Sequence, residues 1–191
     1  MKKLLLAFIL GLSCFVSRAQ EVFVNGVPIG NGKLLYSTTN VSIFHGHELN
    51  FGKYSEISIG LSCEYTPKTK AKRWLVNLYL TTDGKFIIKE GMVILFKDSN
   101  GAIITLKNIT EHLPKYWAER DMYRTAGDYP TFAKQLQSLR TKQTKKIRIV
   151  SSIMKLDYEL KGDEVSSALS SCYEALNRAL SGSHSGVYDN F

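Results

Sequence analysis

The chain has 191 residues, of which 44% are hydrophobic and 22% charged, with 25 Lys and Arg against 17 Asp and Glu. This length suits one ordinary hydrophobic core and is too short to expect two domains. The formal net charge of +8 is not concentrated on a basic helix, so the chain lacks the footprint of a nucleic-acid-binding protein.

The first 19 residues have the pattern of a secretory signal peptide. Lys2 and Lys3 precede an apolar run over residues 4–16, and Ala19 ends a small-residue cleavage site. No stretch reaches the ~20 apolar residues of a spanning helix, so we expect no transmembrane span in the mature chain. The sequence therefore predicts an exported protein: periplasmic, on the outer-membrane surface, or secreted. An alternative is a lipoprotein signal, because Leu-Ser-Cys at 12–14 resembles a lipoprotein box with Cys14 as the acylated residue.

After the signal, we predict one α+β domain over residues 20–181 and a flexible tail over 182–191. Up to residue 50, short apolar runs separated by Asn, Gly and Pro predict edge strands or a loosely ordered lead-in. Alternation over 55–65 predicts a half-buried strand. The apolar run 74–80 predicts a second strand, with a tight turn at Asp83-Gly84 leading into a return strand at 86–88.

A second hairpin is predicted from residues 92–97 and 102–107. A four-residue loop would place Val93 opposite Leu106 and Leu95 opposite Ile104 on one face, and Phe96 opposite Ile103 on the other. Because both faces would be apolar, we expect these strands to be covered on both sides. The pattern over residues 116–124 predicts one or two helical turns that end near Gly127, and the pattern over 132–139 predicts a short helix.

The last third predicts strand, strand, helix. A turn at Ser151-Ser152 would place Ile149 opposite Met154 and Ile147 opposite Leu156. An apolar stripe at intervals of three and four predicts an amphipathic helix through Val165, Leu169, Cys172, Leu176 and Leu180. We expect Leu169, Cys172 and Leu176 to lie against Met154, Leu156 and Tyr158. The predicted fold class is α+β: a mostly antiparallel β-sheet packed by a C-terminal amphipathic helix, with one further short helix.

Two motifs carry a family resemblance. The Lys-Lys-Ile-Arg-Ile strand at 145–149, with the second strand and closing helix, resembles the end of a group of small exported Bacteroidetes proteins of uncharacterised function. The hairpin at 91–106 is similar to one in the same group. The resemblance covers roughly the C-terminal half; it implies export and a small α+β fold, and it carries over no active-site residue.

Two cysteines remain after signal cleavage, Cys63 and Cys172. Both lie on predicted apolar faces, so they could meet in a disulfide, which an exported protein permits. Free cysteine is also among the most buried residue types, which leaves two buried thiols as the alternative.

His45, His47 and the following Glu48 form the one local cluster of metal-ligand type. In an extended segment the two imidazoles share a face and could hold zinc, with a third ligand such as His112. The alternative is a loop with exposed histidines.

A mixed aromatic and charged segment is the candidate ligand surface. Flat rings stack on sugars or peptide groups, and charged side chains supply hydrogen bonds. Its predicted ligand-contacting residues are Tyr116, Trp117, Arg120, Tyr123 and Arg124. The same segment also contains Asp121, Asp128 and Tyr129. The alternative is that these aromatic residues only pack a loop onto the core.

Basic residues cluster at Lys68, Lys70, Lys72 and Arg73, and again at Arg140, Lys142, Lys145 and Lys146. They are either solvated loops or a patch for anions or a membrane surface.

The sequence has no Gly-x-Ser-x-Gly elbow, Walker-type glycine loop or His-Glu-x-x-His motif. We therefore expect no cofactor and favour a non-catalytic envelope or secreted module that binds a glycan, a peptide or an envelope protein. The alternative is a metal-dependent hydrolase that uses His45 and His47.

Overall fold

The structure is a computed structural model that describes residues 22–49, 54–150 and 155–182. The predicted signal peptide with Cys14, the position of Met154, and tail residues 183–191 lie outside the described ranges. Within those ranges the chain forms eleven strands and two α-helices. They are β1 (Val24–Gly30), β2 (Lys33–Thr38), β3 (Val41–His47), β4 (Tyr54–Thr66), β5 (Ala71–Thr82), β6 (Val93–Asp98), β7 (Ile103–Lys107), β8 (Lys115–Trp117), β9 (Met122–Thr131), α1 (Ala133–Thr141), β10 (Thr144–Val150), β11 (Lys155–Glu159) and α2 (Glu164–Gly182).

The large sheet is built around β4, the strand that the alternation at 55–65 predicts. Its order is β1-β2-β4-β5-β9-β8, and β3 pairs with β4 on the same edge as β2. The chain passes from β2 to β3 beside Gly60, where an added Cβ would lie 2.5 Å from the Asn40 side-chain oxygen. One face of β4 is fully buried through Ile57, Ile59 and Leu61, which defines the inner face of the sheet.

The small sheet has the order β11-β10-β6-β7. Every strand pair in both sheets is antiparallel. The inner faces of the two sheets share one hydrophobic core with α2, and Tyr158 of β11 donates a hydrogen bond to Ser55 Oγ of β4 at 3.3 Å. The predicted α+β class, with antiparallel sheets and a packed C-terminal helix, is confirmed.

The helix α2 packs on a sheet as predicted, but mainly on other strands than those predicted. Its apolar stripe is buried, including Leu169 and Leu176 at 0% exposure. However, α2 lies mainly on β2, β3 and β4 of the large sheet and has only a smaller contact with β10. Leu156 and Tyr158 enter the same core from the small sheet, so the helix closes one side of a space between two sheets.

Both predicted hairpin registers are wrong. Ile149 pairs with Leu156 and Ile147 with Tyr158, so the register differs from the predicted one by two residues along β11. In the other hairpin, Ile94 pairs with Leu106 and Phe96 with Ile104, and Lys97 with Ile103. The Asp98 carboxylate accepts the backbone N–H groups of Asn100 and Ala102, which shifts the loop by one residue.

The second face of the β6–β7 hairpin is therefore not covered as predicted. Ile103 is 57% exposed, and Leu95 is half-buried beside it. These two side chains, with Lys97, Lys146 and Arg148, line a cavity of about 190 Å³ on the outer face of the small sheet.

The segment predicted as helical at 116–124 is a hairpin. β8 and β9 are joined by a short 3-10 turn at Ala118–Arg120. Gly127 lies inside β9 and not at a helix end; an added Cβ there would lie 2.9 Å from the Tyr129 ring. β9 pairs with β5 along the edge where the return strand was predicted, so residues 86–88 do not form that strand. Phe86 and Ile88 are nevertheless buried in the core.

Of the two alternatives for the cysteines, the structure has the buried free thiols. Cys63 and Cys172 are both fully buried and unbonded. Cys172 instead lies close to the Thr38 side chain and the Leu61 backbone. Burial raises the pKa of the Cys63 thiol to about 11 and also raises that of Cys172, so neither is a thiolate near neutral pH.

Candidate ligand-binding surface

The outer face of the large sheet brings together two segments that are separate in sequence. His45 pairs with Glu56 across β3 and β4, and Glu56 is in register with Thr81, which pairs with Arg124 of β9. Directly paired residues share a face of a sheet, so these side chains point to the same side. We call the following set the outer-face cluster: His45, Tyr54, Glu56, Tyr79, Trp117, Arg120 and Arg124.

Glu56 is the centre of this cluster. Its two carboxylate oxygens accept hydrogen bonds from Arg120 Nη1 at 2.8 and 3.0 Å. Its Oε1 also lies 3.7 Å from His45 Nδ1 and accepts a hydrogen bond from the Tyr54 hydroxyl at 3.4 Å. One carboxylate therefore joins the histidine strand to the aromatic hairpin.

The indole of Trp117 lies near two guanidinium groups. The Arg120 guanidinium carbon is 4.6 Å from the ring centroid, and that of Arg124 is 5.8 Å away. Arg124 also lies 5.1 Å from the Tyr79 ring centroid. Arg124 is exposed, and among residues 22–49, 54–150 and 155–182 no carboxylate pairs with it. It is a cation positioned by two aromatic rings.

The tight connection between β8 and β9 directs Arg120 towards Glu56. Asp121 follows the 3-10 turn in the left-handed conformation, with φ 52° and ψ 43°, and its N–H donates to Ala118 O. Asp tolerates this conformation better than most residues. The turn is therefore short enough to keep Arg120 beside the sheet.

The five predicted ligand-contacting residues lie on two faces. Trp117, Arg120 and Arg124 belong to the outer-face cluster, whereas Tyr116 and Tyr123 lie on the opposite side of the hairpin, with ring centroids 5.2 Å apart. The Tyr116 hydroxyl donates to Asp121 Oδ1 at 2.7 Å, and this hydrogen bond raises the pKa of Tyr116.

Tyr129, in the same predicted segment, is fully buried in the core. For this residue the packing alternative is correct, since its ring contributes to the core and not to a surface.

The histidines lie on the exposed side of β3 without the third ligand that was predicted. Glu48 is buried, and its Oε1 accepts the Asp157 N–H at 3.0 Å. His112 Nε2 lies 3.6 Å from Asp128 Oδ2 on β9. His45 Nε2 is 2.8 Å from Ser42 Oγ. In the described part of the chain, no group of three or more His, Cys, Asp or Glu side chains could hold a metal ion.

A polar row crosses the outer face towards His112. Ser62 donates to Asn77 Oδ1 at 2.6 Å, and Asn77 Nδ2 donates to Asp128 Oδ1 at 2.7 Å. The serine thus has an amide as its partner, and the histidine is at the far end of the row. This order differs from the nucleophile–base–acid order that activates a catalytic serine.

Sequence reasoning missed Glu56, Tyr54 and Tyr79. The alternation over 55–65 does place Glu56 on the wet face of its strand, which is the one available signal. Nothing local indicates that its partner is Arg120, 64 residues away.

No protein-family model matches the chain, and no curated protein or solved structure matches it. The similarity to small exported Bacteroidetes proteins therefore stays a prediction from the sequence. Neither helix in the described ranges is both long and apolar enough to cross a bilayer.

Proposed function

We propose that this protein is an exported, non-catalytic binding module of the envelope or the secreted fraction. Its ligand surface is the outer-face cluster, and its ligand is a carboxylate-bearing chain, either an acidic peptide or an acidic glycan. Export rests on the signal-peptide pattern of residues 1–19.

The observation that carries the proposal is the environment of Arg124. Its guanidinium lies near the Tyr79 and Trp117 rings, is exposed, and has no carboxylate partner in the described residues. A guanidinium offers a planar pair of donors that match a carboxylate, and it forms shorter and stronger hydrogen bonds than a neutral donor. Arg124 can therefore take the acidic group of a ligand.

The surface is also ordered in advance. Arg120 is held by Glu56, and Arg124 projects from a strand paired on both sides, with Lys115 and Thr81 opposite it. A surface that is already ordered loses less conformational entropy on binding. The partly exposed indole of Trp117 offers a flat face on which a sugar or peptide group can stack.

We do not propose the alternative, a metal-dependent hydrolase using His45 and His47. Both ring nitrogens of His45 have partners, Ser42 and Glu56, and the buried Glu48 is committed to the Asp157 backbone. No observation favours that reading over the binding module.

The test is a binding assay with protein beginning at Gln20, on arrays of acidic and neutral peptides and glycans. We expect an acidic ligand whose affinity falls by about tenfold in Arg124→Gln, which corresponds to the loss of one charge-assisted hydrogen bond. The matched control is Arg178→Gln, because Arg178 is an exposed arginine on α2, away from the cluster.

The proposal is overturned if the native protein binds none of these ligands, or if it turns one of them over. It is also overturned if Arg178→Gln weakens binding as much as Arg124→Gln, since the surface would then attract acids only through its general charge.

A further inference from the structure

One end of the large sheet combines exposed lysines with exposed apolar side chains. The β1–β2 turn, the β4–β5 turn and the junction of β9 with α1 all lie there, because Leu34 pairs with Tyr65, Tyr65 with Lys72, and Trp74 with Thr131. We call this region the basic end and define it by Ile29, Lys33, Lys68, Lys70, Lys72, Arg73, Phe132 and Lys134.

The basic end has an excess of positive charge. All six of its Lys and Arg residues are exposed. In the segments that form it, 29–36, 64–74 and 129–135, the one acidic residue is Glu64, which pairs with Arg73 at 3.3 Å. Five lysines thus remain: Lys68 and Lys70 lie in the β4–β5 turn, and Lys33, Lys72 and Lys134 lie at the first or second residue of β2, β5 and α1. The lysines are spread across neighbouring strands that lie ~4.8 Å apart, so the charge is broad and not focused on one point.

Two apolar side chains project among these lysines. Phe132 is 79% exposed, more than any other large hydrophobic residue in the described ranges, and Ile29 is 44% exposed. Phe132 also borders a cavity of about 280 Å³, which Lys72, Arg73 and Trp74 line. An exposed phenylalanine surrounded by long cationic side chains is the arrangement of a protein surface that lies in a lipid headgroup region.

We propose that the basic end docks on the surface of an anionic lipid bilayer. The lysines lie among the negatively charged headgroups, and Phe132 and Ile29 enter the boundary between headgroups and acyl chains. A bilayer fits better than a single acidic peptide, because the cations are spread over three regions of the chain and a peptide could contact few of them at once. This inference is independent of the proposed function, which uses the outer face of the sheet.

The test is co-sedimentation of protein beginning at Gln20 with vesicles. We use vesicles of phosphatidylcholine alone and vesicles with about one-third phosphatidylglycerol, in low and high salt. We expect binding to the anionic vesicles to exceed binding to neutral ones by about tenfold or more, and to fall at high salt as the charges are screened.

Two variants locate the contact. Phe132→Ser and the double variant Lys70→Glu, Lys72→Glu are each expected to reduce binding at least about fivefold. Phe132 is the N-cap residue of α1, and serine is favoured at that position, so Phe132→Ser should fold normally. The matched controls are Leu113→Ser, with Leu113 72% exposed just before β8, and the exposed Lys89→Glu; neither should change binding.

Arg124→Gln should bind anionic vesicles as the native protein does, which separates this test from that of the ligand surface. Equal binding to neutral and anionic vesicles would contradict the proposal, as would no binding to either. Binding to soluble polyglutamate that is lost in the Lys70, Lys72 variant, without vesicle binding, would assign the basic end to an acidic protein partner instead.

Discussion

Two carboxylates, Glu56 on the large sheet and Asp157 on the small sheet, each organise a group of cations, but in different ways. Asp157 receives Arg148 Nε at 2.5 Å and Nη2 at 2.7 Å, with Lys146 Nζ at 3.3 Å. Arg148 is directly opposite Asp157 in the β10–β11 hairpin. Glu56 instead receives Arg120 from a turn 64 residues away.

The surroundings of the two carboxylates separate their roles. The Asp157 side chain is 7% exposed, and its backbone is bound on the edge of the sheet by Glu48 and Leu49. The Arg148 guanidinium holds the pKa of Asp157 at about 2. The cations around Asp157 are paired with its buried carboxylate, so this group stabilises the fold. The Glu56 group still has a cation available to a ligand, because Arg124 lies in the same outer-face cluster and has no carboxylate partner in the described residues.

The largest expected effect on the free energy of unfolding is that of truncating a side chain in the hydrophobic core. Leu176 is fully buried beneath the large sheet, so Leu176→Ala should lower the free energy of unfolding by about 2–5 kcal/mol. Urea unfolding followed by circular dichroism measures the change. The matched control is Glu174→Ala on the exposed side of α2, expected within about 0.5 kcal/mol of the native value. A similar loss in both variants would mean that α2 does not pack as described.

The second-largest effect is expected for Asp157→Asn, which should lower the free energy of unfolding by about 2 kcal/mol at neutral pH. The substitution removes the carboxylate that balances the charges of Arg148 and Lys146. Ligand binding at the outer-face cluster should not change. If Asp157→Asn lowers the free energy of unfolding by less than about 0.5 kcal/mol, Asp157 contributes no more than an ordinary surface residue, and its contrast with Glu56 is wrong.

The same carboxylate predicts a pH dependence. The pKa of Asp157 is lowered from 3.8 to about 2 in the folded state, so the unfolded state binds the proton more readily. The stabilisation is therefore complete above about pH 4 and is lost as the pH falls towards 2. Unfolding measured from pH 5 to pH 2 should show a steeper loss in the native protein than in Asp157→Asn. Parallel curves would contradict this.

The smallest effects on stability are expected at the outer-face cluster. Glu56→Gln should lower the free energy of unfolding by less than about 1 kcal/mol, because the Arg120 side chain in this ion pair is half exposed. Arg124→Gln should stay within about 0.5 kcal/mol, since it breaks no ion pair among the described residues. Both should weaken ligand binding. If either destabilises the fold as much as Asp157→Asn, the cluster is part of the scaffold and not a ligand surface.

Local pattern was sufficient where one face of an element is buried. The alternation of Ile57, Ile59 and Leu61 predicted β4, and the stripe through Leu169 and Leu176 predicted α2. Each element shows its buried face in the spacing of neighbouring residues, so a few consecutive residues are enough to find it.

Local pattern was misleading over residues 116–131. Gly127 and Pro130 are disfavoured in strands, yet both lie in β9. Gly127 is required by the close approach of the Tyr129 ring. Pro130 is tolerated because β9 is paired there with β5 on one side, while β8 pairs with residues 122–124 alone. Packing against distant residues outweighs the local preference.

The sequence by itself determined the α+β class, the main strand and the closing helix, because these follow from the period of burial along the chain. The tertiary structure alone decided that two sheets enclose the core and that β9 pairs with β5. It also decided that Glu56 meets Arg120, which leaves Arg124 without an acid in the described residues. These facts depend on the register between segments far apart in the chain, and the spacing of neighbouring residues does not carry that register.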